Sequence, residues 1–130
     1  MYYNPNNQKV LNFNTKLYIA KYKETTQDEN LNQKQVYYEP QKFFFNIQPV
    51  NKSSEIREFG ELVNSMKVAV ITQKQKYLNK FNEFDLAYLD GVEPINELEY
   101  GDMANYRIYA VRPQNTIIKI YFLKRVINNQ

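Results

Sequence analysis

"YRIYAVRPQNTIIKIYFLKR", residues 106–125, decides the fold. Both halves alternate with a period of two, the pattern of a strand whose two faces meet different surroundings. Tyr106, Ile108 and Ala110 share one face, and Arg107, Tyr109 and Val111 share the other. Ile118, Ile120 and Phe122 then alternate against Lys119, Tyr121 and Leu123. Pro113 falls in the bend, where its missing N–H costs nothing. The stretch reads as two adjacent antiparallel strands with apolar groups on both faces. Both faces are therefore expected to be covered, inside the fold or against a neighbouring subunit. Lys124 and Arg125 would discourage edge-to-edge aggregation at the end of this hairpin.

Upstream, "MKVAVITQ" (66–73) sets Met66, Val68 and Val70 against Lys67, Ala69 and Ile71 and predicts another strand. "VYYEPQKFFFNIQPV" (36–50) predicts a strand with Phe43, Phe45 and Ile47 on one face and Phe44 and Asn46 on the other. Pro40 and Pro49 bracket it, where ladder donors are not required. "KVLNFNTKLYIAKYK" (9–23) predicts one long strand or two short ones, with Leu17 and Ile19 opposite Tyr18, Ala20 and Tyr22. Residues 1–8, "MYYNPNNQ", predict a flexible arm.

Between these runs lie polar segments. Residues 24–35 predict a loop or hairpin tip. Residues 51–64 predict a loop with at most a short helical turn, because Ser54 and Arg57 make a poor capping box and Gly60 interrupts. In 74–91, Tyr77, Leu78 and Phe81 fit a helical stripe, and Leu86, Tyr88 and Leu89 fit a short strand stopping at the Asp90-Gly91 turn. Residues 90–105 form an acidic connector. The sum is a mainly β single domain: a small antiparallel β-barrel or sandwich of about five or six strands over 9–127, with long loops and at most one short helix.

At 130 residues, 43% hydrophobic and 24% charged, the chain suits one soluble globular domain. Twelve Tyr and eight Phe, with no Trp and three Gly, lean toward strands. There is no cysteine, hence no disulfide or thiolate, and no histidine, the side chain most used for proton transfer near neutral pH. An enzyme is therefore not expected, and neither is a cofactor, a metal or a small-molecule substrate. The beginning does not read as a signal peptide, and no apolar run reaches the ~20 residues of a membrane span.

Charge is segregated along the chain. Residues 83–102 hold seven of the 14 acids and no Lys or Arg, whereas 107–125 hold Arg107, Arg112, Lys119, Lys124 and Arg125 and no acid. Two readings stay open. Glu93, Glu97, Glu99 and Asp102 of one copy face Arg107, Arg112, Lys119 and Arg125 of the next, a head-to-tail contact of the kind that generates rings. Alternatively, these are solvated charges that pair within one subunit. Asp85, Asp90 and Glu93 do not have the spacing of a calcium loop. The aromatic runs Tyr37-Tyr38 and Phe43-Phe44-Phe45 raise a base-stacking reading, but core packing plus subunit contact explains them without a ligand.

From about 36 to 126, the order of features resembles the head–tail joining proteins of tailed bacteriophages, the head-completion or stopper family. The likeness is carried by Ile47-Gln48-Pro49, Gly101-Asp102, Tyr106-Arg107-Ile108 and Val111-Arg112-Pro113. The resemblance implies a small β-barrel in the virion, synthesised in the bacterial host cytoplasm, that forms a ring below the portal and its adaptor. The resemblance also implies that the tail-completion protein docks on this ring and that DNA is a partner in its channel. Some members close that channel with a long inter-strand loop. By position this loop is 51–64 here, with Ser53, Ser54, Glu55, Arg57, Glu58 and Phe59 as its candidate docking residues. The alternative is a small β-barrel module that binds nucleic acid or a peptide.

Overall fold

The structure, a computed structural model, describes residues 15–126. The expected arm at 1–8, the first part of the expected strand at 9–14, and residue 127 lie outside the described residues. Eight strands follow one another: β1 (Thr15–Ala20), β2 (Tyr22–Gln27), β3 (Gln33–Tyr37), β4 (Gln41–Pro49), β5 (Met66–Ile71), β6 (Leu86–Tyr88), β7 (Tyr106–Pro113) and β8 (Ile118–Lys124). Six of them close a barrel in the order β1-β4-β5-β8-β7-β6, while β2 and β3 form a separate two-stranded ribbon. Every barrel pairing is antiparallel. The small mainly β barrel read from the sequence is therefore the fold.

Closure depends on β4, the longest strand. Its first half pairs with β1, from Gln41 against Ile19 to Phe45 against Thr15. Its second half pairs with β5, from Asn46 against Val70 to Pro49 against Lys67. One strand thus links two neighbours that do not pair with each other. The period-two positions fill the interior: Leu17, Ile19, Phe45, Ala69, Ile71, Ile108, Ile118, Ile120 and Phe122 are all buried in one cluster. Each fully buried aliphatic or aromatic side chain stabilises the fold by about 1.5–3 kcal/mol over its exposed state.

The closing hairpin forms as expected, with one correction. A β-bulge interrupts the register at Tyr109: Ile108 pairs with Phe122, and the next pair is Ala110 with Tyr121. The extra residue reverses the facing beyond it. Ala110 therefore leaves the face of Tyr106 and Ile108 and packs outside with Val68 and Tyr121. Val111 turns inward against the barrel core instead.

Two loop expectations are also corrected. Most of 24–35 is ribbon, with only 28–32 left as its tip. Both faces of that ribbon are largely solvated, so it lacks the apolar alternation by which strands are read. The segment 51–64 is not a loop. Ser53–Phe59 form a helix, α1, which runs on into a 3₁₀ turn over Gly60–Ser65. Its capping box joins Lys52 and Glu55, not Ser54 and Arg57, and Gly60, at φ +61°, ends the helix. Residues 74–91 contain a single helical turn, Lys74–Tyr77, and then β6. Tyr77 and Phe81 join Phe43 and Phe45 in an aromatic cluster continuous with the barrel core, with Phe43 and Phe45 stacked at 5.5 Å and Phe81 edge-on to Phe43 at 5.2 Å. Leu78, the third member of the expected stripe, stays exposed.

Candidate docking surfaces

Two parts of the barrel exterior are covered by the chain itself. The first cover is α1, which lies over the outer face of β5, β8 and β7. Phe59 enters that face, tilted on Tyr121 with centroids 4.9 Å apart and edge-on to Tyr109 at 5.8 Å. Glu55 is buried beside it and accepts a 2.6 Å hydrogen bond from the Tyr121 hydroxyl, while Lys119 lies 3.5 Å away. Burial pushes the Glu55 carboxyl up, but the Tyr121 hydroxyl, the Lys52 amide and Lys119 together outweigh it and hold the pKa below its ordinary value. Burial and the same contact push the Tyr121 hydroxyl up. Nearer solvent, Arg112 reaches Glu58 at 2.6 Å.

The structure therefore joins two sets of residues that the sequence keeps apart. Glu55, Glu58 and Phe59, nominated as a channel loop, meet Arg112 and Lys119, nominated as contacts to another subunit. Ser53, Ser54 and Arg57 face solvent on the remaining side of α1.

The second cover is the acidic connector, which packs on β6 and the end of β1 through Leu86, Tyr88, Ala20 and Ala104. Here Glu97 accepts from the buried Tyr88 hydroxyl at 2.6 Å and from the Met103 amide at 2.7 Å. Burial first, and Glu97 second, raise the pKa of Tyr88 strongly. The Tyr88 oxygen also accepts from the Gly101 amide at 2.8 Å. Gly101 adopts φ +97°, and a Cβ there would meet Leu86 at 3.0 Å and Tyr37 at 3.1 Å, so this turn requires glycine.

Three acids of this segment find cations within the same subunit. Glu93 pairs with Lys16 at 2.9 Å, Glu99 with Lys34, and Asp90 with Lys67. Burial, with Asp90 beside it, pushes the Tyr106 hydroxyl up to about 12. Asp102 accepts from the Glu99 amide at 3.1 Å. Arg125 guards no open edge, since the barrel has none; it donates to the carbonyls of Ala104 at 2.7 Å and Gly101 at 3.1 Å. Arg107 lies over the Tyr109 ring at 5.4 Å.

Sequence reasoning passes over one residue that holds the parts together. Asp85 is fully buried. It accepts from Lys21 at 3.0 Å, from the Tyr22 amide at 2.8 Å and from the Asn82 amide at 3.0 Å, so its charge is paired and its oxygens are satisfied. These bonds tie the ribbon's first residue to the segment that carries Phe81 into the core. The available signal is its place in "FDLAYL", where a lone carboxylate interrupts an apolar run.

On the outer face of β1 and β4, the connector reaches only the β1 side among the described residues, through Tyr18 beside Tyr88 and Lys16 beside Glu93. Cross-strand neighbours there are Lys16 with Phe44 and Tyr18 with Lys42. Phe44 and Tyr38 are exposed, whereas Phe45 is core.

Among the described residues, no helix is long and apolar enough to cross a membrane. No family model matches the chain. No curated protein matches it either. Among solved structures, the chain is similar to the solution structure of protein SF1141 from Shigella flexneri 2a, with a TM-score of 0.58 and 13% sequence identity over 88% of this chain and 95% of that one. At that identity the likeness is one of fold.

Proposed function

We propose that this protein is a structural component of a tailed-phage or prophage virion, a head–tail joining or head-completion protein. It assembles as a ring below the portal, joining portal and adaptor proteins to the tail-completion protein. One observation carries the assembly reading. Phe44 apart, every large apolar residue exposed among the described residues lies off the barrel strands. Leu31 sits on the ribbon tip, Ile56 on α1, Phe84 before β6, and Ile95, Leu98, Tyr100 and Met103 on the connector. A closed barrel that carries its exposed apolar groups on attachments suits a part that docks on other proteins through them. Three of the four motifs carrying the phage resemblance are scaffold positions: Ile47-Gln48-Pro49 ends β4, and Tyr106-Arg107-Ile108 and Val111-Arg112-Pro113 open and close β7, while Gly101-Asp102 lies in the connector. The test is genetic and microscopic: particles made without this protein should be DNA-filled heads lacking tails. Normally tailed particles would overturn the reading.

A second reading, a nucleic-acid-binding barrel, is favoured by the Lys16/Phe44 and Tyr18/Lys42 cross-strand pairs on the outer β1–β4 face, where Phe44 is exposed. It requires oligonucleotide binding that weakens steeply with salt. The joining protein should show little affinity for oligonucleotide.

A further inference from the structure

A cleft opens in the surface between the ribbon and the connector. Tyr37 lies close against Gly101, and beside this contact β3 and residues 97–100 line the cleft, of about 480 Å³. Four consecutive β3 residues, 34–37, line it. Successive strand residues point to opposite faces, so a cavity touching all four reaches the strand's edge, and Thr26 of β2, the partner of Lys34, extends it over one face of the ribbon. That edge is free: among the described residues, Gln33–Tyr37 make no backbone hydrogen bond to any strand but β2. Val36 contributes an apolar wall, and Leu98, on the opposite lip, is 95% exposed.

The charge around the cleft is negative. Its cations are Lys34, bonded to Glu99, and Arg125, held by the Gly101 and Ala104 carbonyls. Against them stand Glu97, Glu99, Asp102 and Asp28; Glu99 by its hydrogen bond, with Asp102 and Asp28 through their fields, raises the pKa of Lys34.

We infer that this cleft takes an extended basic segment of a partner protein, which adds as a third strand to the free edge of β3 and lays an apolar side chain between Val36 and Leu98. Main-chain bonds to β3 supply affinity, while the acidic rim and the Leu98 lip select alternating cationic and apolar residues. This surface is defined by the chain alone and is independent of where the protein works.

The test is an NMR titration of the full chain with an end-capped peptide of about eight residues alternating lysine and valine. Amides 33–37 and 97–100 should shift together and those of β3 should gain exchange protection. An alternating glutamate–valine peptide, a peptide N-methylated along one edge, and the Leu98→Ser variant should each bind about tenfold weaker or less, roughly 1.4 kcal/mol. Leu98 is almost wholly exposed, so this variant folds. Shifts confined to other residues, equal binding of the acidic or N-methylated peptide, or an unaffected Leu98→Ser variant would overturn the inference. So would concentration-dependent shifts at the same amides without peptide, which would make a second copy the occupant.

Discussion

The barrel and its attachments are held by different physics. Inside the barrel, Leu17, Ile19, Ile108, Ile120 and Phe122 contribute through apolar area, and no single polar contact decides their place. The ribbon, α1 and the connector bury far less and are each fastened by a carboxylate with specific donors: Asp85, Glu55 and Glu97 respectively. A core of that kind loses stability in proportion to the area or charge disturbed. An attachment fastened by a few polar contacts loosens when its buried acid is removed, while the barrel survives.

Ile120→Asp should therefore have the largest effect. It places an unpaired carboxylate at a position with no exposure, and the cooperative thermal transition should disappear. A variant that melts like the parent would show that β8 faces the other way. Asp85→Ala should come next, at about 3 kcal/mol, because it leaves Lys21 and two amides without their partner. Differential exchange should place the loss at Tyr22 and the ribbon, and uniform weakening of every strand would erase the distinction drawn above.

Much of this division is visible in the sequence, for a physical reason. Strands between unlike surroundings alternate, so β4, β5, β7 and β8 announce themselves. The facing fails only at Tyr109, where a bulge adds a residue that no side-chain pattern marks. The ribbon is solvated on both faces and gives no period. Helix α1 is hidden because its cap is a lysine main chain answered by Glu55, outside the usual Ser, Thr or Asp signature. The charges were legible as segregated blocks, but not their pairing: Glu93 finds Lys16, 77 residues away, through a register that only the closed barrel defines.

Glu55→Gln should cost about 1–2 kcal/mol near neutral pH. The effect has a sign in pH, since the native carboxyl titrates below its ordinary value of 4.5. Its stabilisation is complete above that value and lost as pH falls through the lower native one. Urea midpoints of parent and variant should therefore converge in acid, and a gap that widens there would mean that Glu55 is held protonated. Glu93→Ala should have the smallest effect, within about 0.5 kcal/mol, because its pair with Lys16 is open to solvent. A larger loss in thermal melts would move the connector from the pinned class to the core.

Native-state hydrogen exchange tests the division most directly. Amides of β1, β4, β5, β7 and β8 should open only with global unfolding, at one shared free energy, and those of β2 and β3 should open at a distinctly lower one. Equal protection of ribbon and barrel, or β1 opening apart from its neighbours, would contradict a closed barrel carrying separately fastened parts.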